Sequence, residues 1–295
     1  MANTKKQRLA IRVSIFSIAI NLLLAAGKLA AGLIARSSAL VSDAADSASD
    51  VLSTLVVLLG LRMSGRESDK EHPYGHERIE SVAGLVVAAV LAVTGVGIGY
   101  SGITRAISDS AENTAVPGVL ALVVALISIG IKECMYWLTL SASKKTGSTA
   151  LKADAWHHRS DALSSVGSFV GVLGARLGLP VLDPIASAVI SLFILKTAVD
   201  VFREAVGRLT DRACDEGLVA EIRGVILAQA GVNGIDELRT RLFGDRIYVD
   251  VEIAADASES LAVVHETAHR VHDAIESGFP GVKHCMVHVN PSAPS

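Results

Sequence analysis

The sequence predicts a membrane all-α domain of six spanning helices, followed by a small soluble α+β domain. Three observations carry this. The chain is 51% hydrophobic with a mean hydropathy of +0.46. Its apolar residues gather into long blocks that stop near residue 205. Beyond that point the apolar spacing switches between helical and strand periods, as in an ordinary soluble domain.

A spanning helix needs roughly 20 mostly apolar residues. Six stretches meet this: Val13–Ala35, Ala39–Met63, Ser81–Ile103, Val116–Leu140, about Thr149–Leu177, and Val181–Phe202. Lys5, Lys6 and Arg8 ahead of the first block give it the look of a signal peptide. Its apolar run exceeds the roughly 7–15 residues of such a segment, so it reads as a first span. Basic residues then set the orientation. Lys5, Lys6, Arg8 and Arg12 precede the first block; Arg62, Arg66, Lys70 and Arg78 lie in the second loop, and Lys144, Lys145 and Lys152 in the fourth. The intervening loops hold only Arg36, Arg105 and Arg176. The bias predicts a multi-pass protein embedded in the lipid bilayer with both termini cytoplasmic.

The tail is read element by element. Cys214–Ala230 has a helical pattern and Gly231–Gly234 a turn. Ile235–Leu242 and Arg246–Ala254 alternate like strands about Phe243, Gly244 and Asp245, a hairpin signal. Ser258–Ser277 is helical, with Val264, Ala268, Val271 and Ile275 on one face, and Gly281–Val289 reads as a last strand. The order αββαβ predicts helices on one face of a three-stranded sheet. The domains are expected at 1–208 and 209–295. A net charge of −3 gives no case for nucleic acid. Cys134, Cys214 and Cys285 form no spaced pair, which argues against disulfides and cysteine-based zinc sites.

Ionisable groups inside the spans carry the chemistry. In LVSDAADSASDVLS, Asp46 and Asp50 are four residues apart on one helix face, with Asp43 a turn outward. In ADAWHHRSDALSS, His157 and Asp161 repeat that spacing. A charge at the bilayer centre costs at least roughly 2.5–3.5 kcal/mol, so these side chains must face the bundle interior. Three carboxylates alone would repel; a divalent cation among them removes the repulsion, and four O/N ligands suit a tetrahedral site. His158 and Arg159 point elsewhere and are read as structural.

The chain resembles bacterial members of the cation diffusion facilitator family over essentially its whole length. The resemblance rests on SDAADSASD (42–50), HPYGHERIES (72–81), ADAWHHRSDALSS (153–165), LDPIAS (182–187) and LRTR (238–241). It implies a homodimeric exporter of divalent metals driven by inward proton flow, with a ferredoxin-like cytoplasmic domain. It also implies that Asp46, Asp50, His157 and Asp161 form the transport site. Asp69, His72 and His76 match a loop site that some relatives use for a second ion. Arg78 matches a basic position that pairs with an acid after the sixth helix, here Asp211. In the tail it points to a regulatory metal site of Asp250, His265 and His288 with His284 as partner, leaving His269 and His272 solvated. Zinc-exporting relatives often carry His where this chain has Asp236 and Asp250, and an acid where it has Asn290. The tail site is therefore expected to be weaker and richer in oxygen, with sharing across the dimer as one form of it.

Neutral imidazole binds metal and imidazolium cannot, so His157 is the natural ligand for coupling to protons as counter-ion. One imidazole with three carboxylates admits Zn²⁺, Fe²⁺, Mn²⁺, Co²⁺ and Cd²⁺, with zinc ranked first and iron second. An iron transporter for biomineralisation and a non-transporting membrane metal sensor stand as alternatives. HETAH (265–269) fits the zinc-protease pattern H-E-x-x-H. It lies on an amphipathic helix of a small domain with no further signature residues, and the chain is read as no enzyme.

Overall fold

The computed structural model describes residues 2–34, 38–107, 119–176 and 182–292. The chain divides into two compact units, Met1–Val206 and Gly207–Ser295.

The first unit is built from α1 (Ala2–Ile34), α2 (Ser38–Ser64), α3 (Arg78–Ile107), α4 (Val119–Thr146), α5 (Thr149–Arg176) and α6 (Leu182–Leu209), whose last turn passes into the second. At 27 to 33 residues each, such helices span about 40–50 Å, more than the hydrocarbon thickness. Two described segments, Lys5–Ala30 and Arg78–Tyr100, are apolar enough on their own to cross a membrane. In α2 and α5 the same length is interrupted by the acids and histidines of the site.

Several helices outrun the apolar blocks that announced them. Helix α1 already includes Lys5, Lys6 and Arg8, and α4 continues through SASKKT, placing Lys144 and Lys145 in its last turn. Cations there complement the negative end of the helix dipole. Hydropathy marks the part of a helix that suits lipid, not where its backbone stops. The expected ends at Ala35, Val116, Leu177 and Val181 lie outside the described residues.

Polarity in this unit is turned inside out. Leu23, Val93 and Leu192 are each at least two-thirds exposed, while Ser14, Asn21, Thr54, Lys132 and His157 are buried. That is the surface of a bundle solvated by lipid, whose polar groups must find partners within. The apolar packing is rich in small residues: Ala10, Ala83, Ala88, Ala142, Ala150 and Ala153 pack with Val57, Leu91 and Leu151. Small residues let backbones approach closely, the usual packing device between membrane helices. At Gly60 a Cβ would lie 2.5 Å from that of Ala83, so α2 and α3 touch where only glycine fits.

The second unit comprises α7 (Glu216–Leu227), β1 (Gly234–Phe243), β2 (Arg246–Asp256), α8 (Leu261–Gly278) and β3 (Val282–Ser292). The strand order is β1-β2-β3, with β1 antiparallel to β2 and β3 parallel to it. This is the ferredoxin-like αββαβ arrangement that the resemblance implies. Ile222 and Ile226 of α7 and Val271 and Ile275 of α8 cover Val249, Val251 and Ile253 on one sheet face. Gly244, at φ 61°, makes the hairpin turn. Caps trim the helices relative to their apolar patterns. Asp215 accepts from the Leu218 amide, so α7 starts at Glu216 rather than Cys214. Ser258 bonds Asp256 in a turn, and Ser260 caps α8.

Candidate metal-transport site

Helices α2 and α5 bring together three of the four residues that their spacing singled out. One ligand atom each from Asp50, His157 and Asp161 lies within 4.8 Å of the others. Asp50 and His157 are buried and Asp161 is half-buried. His157 Nε2 lies 3.4 Å from Asp50 Oδ1. Among the described residues, neither ring nitrogen of His157 completes a hydrogen bond. A buried imidazole with unsatisfied nitrogens facing carboxylates is what a divalent cation can satisfy. Asp46 lies on α2, four residues before Asp50, but its side chain is outside the described residues.

The sequence reading passed over a fourth participant. Lys132 of α4, 2% exposed, donates to Asp161 Oδ2 at 3.0 Å and ion-pairs with Asp50 Oδ2. A protein-borne cation thus bridges two of the carboxylates that would take the metal. Its signal was present: a lone lysine inside the apolar run ISIGIKECMYW is as expensive in a membrane as the acids on which attention fell.

The neighbours of the site hold α5 in place. Asp154 accepts a hydrogen bond from Thr54 of α2 at 3.0 Å, and His158 Nε2 lies 3.6 Å from its other oxygen; Asp154 and His158 are fully buried. Arg159 pairs with Glu133 at 3.1 Å and stacks over Tyr136 at 4.5 Å, fastening α5 to α4. Both His158 and Arg159 therefore lie away from the metal-ligand group, as their direction on the helix predicts.

The second loop forms a separate cluster. Asp69 lies 3.4 Å from His72 Nδ1 and 3.5 Å from His76 Nε2, and the two rings are 4.4 Å apart. Their ligand atoms also fall within 4.8 Å of one another. Asp69 Oδ1 accepts from the amides of His72 at 2.7 Å and Glu71 at 3.0 Å. These bonds hold its carboxyl below the ordinary carboxylate range, the His72 amide first. A carboxyl lowered in the folded loop stabilises it above the unfolded value and loses that contribution as pH falls through the folded one. Asp69→Asn should therefore speed hydrogen exchange at the His72 and Glu71 amides near neutral pH, and unchanged protection would show that the carboxylate does not order the loop.

Arg78 opens α3 in the first unit, and Asp211, in the second, follows α6 with φ 59°.

Within one chain, the tail residues Asp250, His265, His284 and His288 lie on different elements and faces. Side chains alternate along a strand. With Val249, Val251, Cys285, Val287 and Val289 turned to the core, Asp250 and His288 occupy the opposite sheet face. His265 sits on α8, which packs on the core face, where its ring meets that of His269 at 4.6 Å. His284 is drawn instead to Glu276 at 3.1 Å. His272 is not simply solvated: its Nδ1 lies 2.7 Å from the carbonyl oxygen of Cys285. Asn290 bonds Asp236 and Glu252 at 2.9 and 3.2 Å. Burial, with Glu276 and Asp250 nearby, pushes the Cys285 thiol up to about 12, so it stays protonated.

Residues 14–210 match the family described as the cation efflux transmembrane domain, and 214–292 match the cation efflux protein cytoplasmic domain. Metal tolerance protein C1 of Arabidopsis thaliana is 37% identical over 281 residues, covering 91% of this chain and 60% of that protein. The manganese efflux system protein MneP of Bacillus subtilis (strain 168) is 31% identical, covering 98% of both chains. Among solved structures, a C-terminal domain of MamM covers 26% of this chain and 98% of its own, with 23% identity and a TM-score of 0.26.

Proposed function

The chain belongs to the cation efflux family, whose members are divalent-metal transporters and not enzymes, and from that premise we propose that it is a proton-coupled antiporter exporting transition-metal cations from the cytoplasm. The observation that carries the reading is the Asp50–His157–Asp161 group, buried in the helical unit and bridged by Lys132. A cation already resides where the metal would bind, so the site is built to exchange one positive charge for another. Metal entering from the cytoplasm replaces the contacts of Lys132 and any proton on His157. Protons reaching His157 from the other side restore imidazolium and release the ion. Such exchange requires alternating access, with helices rocking around a fixed site.

Asp46 completes the ligand set. The protein acts as a homodimer in the inner membrane, with both termini in the cytoplasm. The loop cluster Asp69–His72–His76 lies where metal would enter. One imidazole among carboxylates favours Zn²⁺ first and Fe²⁺ second; the manganese efflux relative keeps Mn²⁺ in the set.

Proteoliposomes with an imposed pH gradient and an enclosed metal indicator test the reading. Metal movement that follows the gradient and dissipates it supports antiport. Binding without movement would favour a sensor. Selectivity has its own test: His157→Asp should shift preference toward Mn²⁺ by roughly tenfold or more, because an all-oxygen shell suits harder ions. An unaltered zinc-to-manganese ratio would remove His157 from the ligands.

A further inference from the structure

Away from the transport site, His272, Glu276 and His284 offer ligand atoms within 4.8 Å of one another. Their arrangement is fixed by a single residue of the backbone. The carbonyl of Cys285 can only accept, so at 2.7 Å it holds the proton of His272 on Nδ1. In the neutral ring the lone pair of His272 is then on Nε2, which faces Glu276 Oε1 at 3.3 Å. The amide of the same Cys285 donates to Glu276 Oε1 at 3.1 Å and fixes that carboxylate. His284 Nδ1 lies 3.1 Å from the same oxygen. The β2–β3 register shifts between Ile247 and Tyr248, where Lys283 is the extra residue before His284. Such a bulge re-aims the side chain beside it, here from an edge strand toward α8.

A neutral imidazole lone pair facing a carboxylate is repulsive unless a cation stands between them. We propose that His272, Glu276 and His284 form a divalent-metal site that clamps the end of α8 to the start of β3. Ligands about 2.0–2.2 Å from a tetrahedral ion are about 3.4 Å apart, close to the 3.3 and 3.1 Å observed. Two imidazoles and one carboxylate suit borderline ions such as Zn²⁺, Co²⁺ and Ni²⁺, not Mg²⁺ or Ca²⁺. The imidazole-to-carbonyl bond is the support that metal-binding histidines usually have. All three residues are half-buried or exposed, so the ion has access and further positions for water.

The test is Co²⁺ binding to the full-length protein in detergent after chelator treatment, with stoichiometry from equilibrium dialysis and ligand-field absorption for imidazole coordination. Wild type should bind one more Co²⁺ per chain than His272→Ala, Glu276→Gln or His284→Gln, or bind that ion at least about 100-fold more tightly. Mg²⁺ should not compete. Exposed His284 gives the variant least able to disturb folding, checked by an unchanged melting point without metal. Equal stoichiometry and affinity in wild type and His284→Gln would overturn the site, as would equal competition by Mg²⁺, which would mean ion pairing only. The readout is binding, so failure of transport in wild type would defeat the antiporter reading and leave this one standing.

Discussion

Asp50→Ala and Asp161→Ala are each expected to abolish metal flux in proteoliposomes while leaving a folded protein. Each removes a carboxylate in contact with both the metal-binding space and Lys132. Loss of a residue that merely supports a ligand costs roughly 10–100-fold in metal affinity. Loss of a direct ligand should therefore exceed about 100-fold and take flux to the level of empty vesicles. The charge left behind argues the same way. With one carboxylate gone, Lys132 pairs fully with the other and competes more effectively for it. Size-exclusion chromatography separates loss of function from loss of fold. Flux near the wild-type rate in either variant would exclude that carboxylate from the transport site.

Lys132→Met is the second large effect, and its two arms run in opposite directions. Methionine keeps a long, flexible side chain but leaves Asp50 and Asp161 facing each other without a cation. Removing one partner of a buried ion pair costs about 3–5 kcal/mol. The metal-free protein bears that cost, and a divalent ion relieves it. Metal should accordingly bind more tightly: even a third of the penalty amounts to about a tenfold change. Release should slow for the same reason, so turnover at saturating metal falls as affinity rises. Calorimetric titration beside a flux assay reads both arms. Weaker or unchanged binding would mean that Lys132 is a structural tie and not a competitor of the metal.

Much of this protein was legible in its sequence because its chemistry repeats at fixed intervals. The apolar blocks located six helices, and the alternation about Phe243–Gly244–Asp245 located the hairpin. The four-residue spacings of Asp46 with Asp50 and His157 with Asp161 marked faces that must turn inward. What could not be read were the meetings between elements. Lys132 has no partner within a helical turn to advertise it; its role exists only once α4 lies beside α2 and α5. The surroundings of the tail histidines could not be read for a related reason. Sequence offers five of them, but only the packing of α8 at the β3 edge decides that His272 and His284 share Glu276, while the sheet itself separates His265 from Asp250.

The lysine between the acids also bears on voltage. Moving one elementary charge across a membrane potential changes the free energy by about 2.3 kcal/mol per 100 mV. Asp50 and Asp161 without Lys132 would carry two negative charges whenever the empty transporter reoriented. With Lys132 in contact with both, that pair carries one. In the proposed exchange cycle the empty protein's return is thereby made less sensitive to the potential, and the cell's electrical state weighs less on how fast metal leaves.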